Sequence, residues 1–207
     1  MTRAQEQRQA AALDLWRWRA PLFAFETDAA WGLDPSVLRS LFHVAAQAPG
    51  ERSDGACRQA VSALSTAELF SSEVHPDTVQ LVQLETIAGL LTFAESADSS
   101  YAAARVSETS TRLASYLDGL IEDSLHSHPS EEAHRAYLAA RADGPNDVGY
   151  FAARHAAVES ARLGALRLLP PDAGLLDSAA GRALLAQCEE FGAEAVTTLR
   201  WLRETGY

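Results

Sequence analysis

No stretch of this chain alternates apolar and polar residues as a half-buried strand must, whereas apolar residues recur at helical spacing from one end to the other. Leu81, Leu84, Ile87, Ala88 and Leu91 fall at i, i+3, i+6, i+7 and i+10, which places them on one face of a helix. The long runs are rich in Ala and Leu and poor in Val, Ile and Thr, and 12 Gly and 8 Pro punctuate them. Such a chain must build its core by packing helix on helix. The expected architecture is all-α: a single domain over residues 1–207, forming a bundle of about seven or eight helices. A compact fold of 207 residues buries roughly 70% of the surface its unfolded chain exposes, so a core is available without disulfides or structural metal.

Punctuation sets the expected boundaries. The first helix spans residues 3–19 and stops before Pro21. Asp34-Pro35 then supplies an N-cap and a proline at the first helical position, opening a second helix that ends near Pro49-Gly50. Further helices are expected over 54–71, 76–96 and 100–127. Pro129-Ser130 opens a short helix ending at the turn Asp143-Gly144-Pro145-Asn146-Asp147. Asp147 is expected to cap the next helix, which reaches Leu169 before Pro170-Pro171, and the last helix runs over 177–204. No internal repeat or linker interrupts this pattern.

The formal charge of −11 has no local cluster of basic residues to offset it, which disfavours nucleic acid and anionic membranes as partners. Cys57 and Cys188 are far apart and have no histidine at metal spacing, so both are expected to be reduced thiols. The N-terminal residues are polar, and no 18 apolar residues run together. The expectation is a soluble, cytoplasmic protein without membrane insertion.

Two acidic groups draw attention as chemistry. Phe93-Ala94-Glu95-Ser96-Ala97-Asp98 closes an apolar helix, and Glu190 and Glu194 lie near the far end. Carboxylates on two facing helices can hold metal ions across a cavity. Three windows then resemble class I terpene synthases. Pro76-Asp77-Thr78 through Leu91-Thr92-Phe93 to Glu95 and Asp98 resembles the helix carrying that family's aspartate-rich motif, with Ala94-Glu95 where the family pairs aspartates. Arg112-Leu113-Ala114-Ser115-Tyr116-Leu117 through Tyr137-Leu138-Ala139-Ala140-Arg141 resembles its broken cavity helix. Leu169-Pro170 and the last helix resemble its second metal-binding element, with Ala186, Glu190 and Glu194 in the best frame. The resemblance implies a small, divergent, terpene-synthase-like bundle, a lyase or cyclase of secondary metabolism acting on a prenyl diphosphate with Mg2+. It implies Glu95, Asp98, Glu190 and Glu194 as metal ligands, Arg141 on the diphosphate, and Phe93, Tyr116 and Phe151 lining the cavity.

A second constellation points elsewhere. Asp118, Glu122 and His126 recur at i, i+4 and i+8, and His155 and Glu159 form an i, i+4 pair on another helix. Glu122, His126, His155 and Glu159 could hold Fe2+ inside a bundle, as in a haem-oxygenase-like helical oxidase, which the chain length also suits. A third reading is a non-catalytic binding or assembly protein on a cyclase-like bundle. No Gly-rich phosphate loop, Gly-x-Ser-x-Gly elbow or Cys-x-x-Cys is present, which removes nucleotide, serine-hydrolase and zinc-ribbon chemistry. A homodimer is the default expectation for such a bundle.

Overall fold

The computed structural model describes residues 2–48, 50–70, 76–96, 99–127, 148–170 and 173–206, with Glu132, Ala139 and Arg141 besides. Among them the chain forms eight α-helices and no strand: α1 Arg3–Arg17, α2 Arg19–Ala24, α3 Pro35–Ala46, α4 Glu51–Leu64, α5 Thr78–Ser96, α6 Ser100–Ser127, α7 Tyr150–Ala165 and α8 Ala179–Thr205. The protein is an all-α bundle, and among the described residues no helix is long and apolar enough to cross a membrane. The helix expected over residues 129–143, and Asp147 as a cap, fall almost wholly outside the described residues.

Local chemistry explains most boundaries. Thr2 and Gln5 form a reciprocal capping box at the start of α1. Asp34 accepts from the Ser36 N–H ahead of Pro35, as the sequence indicates. Asp77 accepts from the Gln80 N–H at 2.7 Å, and Gln80 in turn accepts from the Asp77 N–H at 3.0 Å, which fixes the start of α5. The first helix ends earlier than expected, at Trp18, whose ψ of 1° departs from the helix. Pro21 does not terminate a helix; it lies in the first turn of α2, where its missing N–H costs no intrahelical bond. The fourth helix begins at Glu51 and ends at Leu64, shorter at its C-terminal side than the expected 54–71. The last begins at Ala179, because Asp177 is held in a short 3₁₀ turn where its carboxylate accepts from the Gly174 N–H, and Ser178 caps α8.

α1 is the centre of the bundle, packed by α3, α5, α6 and α8. Every residue from Ala11 to Trp18 is buried, Asp14 and Arg17 included. α5 is also surrounded, lying against α1, α2, α3, α4 and α6. Its buried positions, Val79, Val82, Gln83, Thr86, Ile87, Gly89, Leu90, Phe93 and Ala94, run round most of the helix. Of the face expected to be buried, only Ile87 is fully so; Ala88 is exposed and Leu81, Leu84 and Leu91 are half-buried. An apolar helix enclosed on most sides has no single stripe for spacing to reveal.

Two apolar clusters form the core. One gathers Leu13, Phe42, Leu90, Phe93 and Cys188. The other gathers Trp18, Leu117, Phe151, Phe191 and Leu199, with edge-to-face contacts from Trp18 to Phe191 at 5.4 Å and from Phe191 to Phe151 at 5.5 Å. α8 approaches α1 closely at Gly192, where an added Cβ would fall 2.8 Å from the Arg17 carbonyl oxygen. α7 is capped from another helix. The Asp118 carboxylate on α6 accepts from the N–H groups of Phe151 and Ala152, each at 2.9 Å, and only a glycine at 149 leaves room for it.

Candidate functional site

The helices bring two polar assemblies together. The first lies between α1, α6 and α7, with Asp14, Arg17 and His155 buried and Glu159 and Arg162 half-buried at its edge. Asp14 and Arg17 face the same way on α1, and His155, Glu159 and Arg162 lie one turn apart along α7. The Arg17 guanidinium donates from Nη1 to Asp14 Oδ1 at 2.9 Å and to His155 Nδ1 at 2.7 Å, and from Nη2 to Glu159 Oε1 at 2.6 Å. Arg162 closes the network by bonding Asp14 Oδ2 at 3.3 Å and Glu159 Oε2.

Since a guanidinium can only donate, His155 Nδ1 must be the acceptor and the ring proton resides on Nε2. Nε2 then donates to Thr111 Oγ1, 3.1 Å away, and the Thr111 hydroxyl donates to the Ser107 carbonyl at 2.9 Å. Burial, with the Arg17 charge behind it, pushes the His155 pKa down to about 4, so the ring is neutral. Burial pushes Asp14 the other way, to about 6, against the attraction of Arg17. Glu159 is also penalised by burial, but its bond to Arg17 and the charges of Arg17 and Arg162 outweigh that and hold its carboxyl below the usual range.

Ligand atoms of Asp14, His155 and Glu159 all lie within 4.8 Å of one another, a spacing one metal ion could bridge. The Arg17 guanidinium, however, bonds to all three and occupies the position an ion would take. Two carboxylates face two arginines, so the charges are balanced within the protein itself. Cys188 borders this region as an inert thiol, its pKa pushed up to about 12 by burial.

The second assembly is open. Segment 24–29, the start of α5 and the end of α8 enclose a cleft of about 780 Å3. Gln83 forms its floor: the fully buried carboxamide donates from Nε2 to the carbonyls of Leu22 at 3.2 Å and Phe25 at 3.3 Å. Both N–H bonds are thereby committed, and Gln83 Oε1 has no hydrogen-bond partner among the described residues. The walls carry Glu26, Asp28, Asp77 and Glu204 against Arg200 and Arg203, four negative groups and two positive. Asp28 and Asp77 accept from backbone N–H groups of Ala30 and Gln80. Among the described residues Glu26, Glu204, Arg200 and Arg203 form no salt bridge. A smaller depression of about 410 Å3 adjoins this cleft and shares residues 24–27 with it.

The residues singled out from sequence are dispersed. Glu95 is exposed at the end of α5, and Asp98 lies outside the described residues. Glu190 is exposed on α8, while Glu194 is held bidentately by Arg154, at 3.1 and 3.2 Å. Phe93 packs beneath Arg8, whereas Gly192, beside Glu190 and Glu194, packs against Arg17, nine residues further along α1. Arg141 is half-buried, and its charge acts on the Asp118 carboxylate. Phe93 and Phe151 are fully packed in different core clusters, and Tyr116 is half-buried on α6; none of the three lines either depression.

The iron set is divided as well. His155 and Glu159 do meet, but their partners are Asp14, Arg17 and Arg162. Glu122 and His126 are exposed on α6, ~16 and ~22 Å further along the helix than Thr111, which touches His155. Asp118, the third member of their stripe, is the α7 cap. Asp14, Arg17 and Arg162 went unread in the sequence, although Leu13-Asp14-Leu15-Trp16-Arg17-Trp18 does carry a signal: two opposite charges at i, i+3 among large apolar residues. Comparison with protein-family models, with curated proteins and with solved structures finds no match to this chain.

Proposed function

We propose that the protein binds a small amphoteric molecule, one carrying both an ammonium and a carboxylate group, in the cleft between segment 24–29, α5 and α8. The observation that carries this reading is the wall of the cleft, where Arg200 and Arg203 face solvent together with Glu26 and Glu204, all four without a salt-bridge partner among the described residues. Charges of both signs left open in one concavity match a ligand with charges of both signs. The excess of negative groups opposes a polyanion such as diphosphate.

Asp14, His155 and Cys188, whose acid–base behaviour is strongly shifted, are buried in the core and do not line the cleft. Binding is therefore the reading, with the buried ion network as the element that fixes α7 against α1. The test is the thermal midpoint of the purified protein in excess L-amino acids, putrescine, succinate, or inorganic diphosphate with Mg2+. Saturation to about 100 times the dissociation constant adds roughly 2.7 kcal/mol, a rise of about 5 to 11 °C at this size. A rise with amino acids alone supports the proposal. A rise with magnesium diphosphate alone, or with nothing in the set, overturns it.

A further inference from the structure

The charges of the cleft are unevenly placed. Both guanidinia, Arg200 and Arg203, come from one wall, where the i, i+3 spacing sets them one turn apart near the end of α8. Three of the four carboxylates, Glu26, Asp28 and Asp77, come from the other two walls, and only Glu204 stands beside the arginines. A ligand whose own charges cancel therefore leaves two negative charges in excess. Two carboxylates are held in place before any ligand arrives: Asp28 Oδ1 accepts from the Ala30 N–H at 2.9 Å, and Asp77 Oδ1 from the Gln80 N–H at 2.7 Å. Neither has a salt-bridge partner among the described residues, and the second oxygen of each stays open to a donor. At about 30 Å3 for each non-hydrogen atom, glycine fills only about a fifth of the 780 Å3, which leaves room for a side chain that reaches the carboxylate-bearing walls.

We infer that the ligand of the cleft carries a second cationic group besides its ammonium and carboxylate, as a basic amino acid does, an inference that rests on the proposed function and narrows its ligand class. The ligand carboxylate meets Arg200 and Arg203, and the two cations meet Glu26, Asp28 and Asp77. Charge complementarity then favours a ligand of net positive charge over a neutral one, and a neutral one over an acidic one. Glu26 and Asp77 set the preference from two different walls. All six charged side chains are exposed, so water and salt screen each pair, and the preference must fall as ionic strength rises.

The experiment is calorimetric titration of the full chain with L-lysine, L-leucine, L-glutamate and cadaverine at low salt, in the wild type and in Glu26→Gln combined with Asp77→Asn. Asparagine at 77 still accepts from the Gln80 N–H as an N-cap, so the start of α5 is kept. In the wild type lysine should bind about tenfold tighter than leucine, and glutamate weaker than leucine. Cadaverine, which offers Arg200 and Arg203 no carboxylate, should bind about tenfold weaker than lysine. The double variant should bring the ratio of lysine to leucine affinity close to one, and about 0.5 M NaCl should reduce it in the wild type. Lysine no tighter than leucine or glutamate overturns the inference and leaves the proposed function standing. A lysine preference that survives the double variant or high salt overturns it too, since the second cation then lies elsewhere. Cadaverine binding as tightly as lysine, or binding of none of the four, removes this inference and the proposed function together.

Discussion

Acidification should affect the two buried titratable groups of the ion network in opposite directions, and single variants should expose each one. His155 has its pKa depressed from 6.5 to about 4 by burial and by Arg17. Below pH 6.5 the unfolded chain takes up a proton there that the folded chain refuses, so this group's contribution to stability is lost as pH falls from 6.5 towards 4. Asp14 has its pKa raised from 3.8 to about 6. Below pH 6 the folded chain takes up a proton that the unfolded chain does not yet bind, so this contribution rises as pH falls from 6 towards 3.8. Between pH 7 and pH 4.5 the His155 effect amounts to a loss of about 2 to 3 kcal/mol and the Asp14 effect to a gain of about 2 kcal/mol, at 1.36 kcal/mol per unit. In the wild type the two nearly cancel.

Urea unfolding at a series of pH values separates them. Asp14→Asn keeps an acceptor for Arg17 but removes the gain, so its stability relative to wild type should fall by about 2 kcal/mol on going from pH 7 to 4.5. His155→Gln removes the loss, so its stability relative to wild type should climb by a similar amount over the same range. Glu159 is held low, so its contribution is lost as pH falls from the ordinary carboxylate value towards its own lower one, at and beneath the lower edge of this window and equally in both variants. Parallel pH profiles for the two variants would refute the assignment of a neutral His155 beside a proton-retaining Asp14.

Other perturbations have clear directions. Arg17→Met leaves the buried Asp14 and the half-buried Glu159 with Arg162 as their only cation among the described residues, and should cost about 3 kcal/mol in urea unfolding. Asp118→Ala removes the acceptor for the first N–H groups of α7, a loss of about 1 to 2 kcal/mol read in the same assay, with lower amide protection from exchange at Phe151 and Ala152. Gly192→Ala drives a methyl against the Arg17 carbonyl and should cost about 1 to 3 kcal/mol in thermal unfolding. Arg200→Gln combined with Arg203→Gln touches only exposed side chains, so the ligand-free thermal midpoint should hold while the rise produced by amino acids disappears.

The sequence displayed the architecture plainly because helical spacing, N-caps and prolines act locally. Asp34-Pro35 and the span of α6 were legible for that reason. Burial was less legible. α1 carries few apolar residues in its first turns, yet its second half is the centre of the core, because Asp14 and Arg17 neutralise each other and can be enclosed. The site residues were harder still. His155 and Glu159 were visible as an i, i+4 pair, but their partners come from α1, which no local pattern announces. Exposed helical carboxylates, such as Glu95 and Glu190, look alike in sequence whether they ligate metal or only face solvent. The cleft was invisible because its residues come from three distant segments, and Gln83 reads as one of several polar positions in a largely apolar helix.

The most direct measurement is the map of amide chemical-shift changes in isotopically labelled protein titrated with L-leucine. Saturable shifts are expected, confined to residues 24–29, 77–83 and 200–204, the segments that border the cleft. Saturable shifts centred on Glu95 or Glu194, or a spectrum unchanged at saturating ligand, would contradict binding in the cleft.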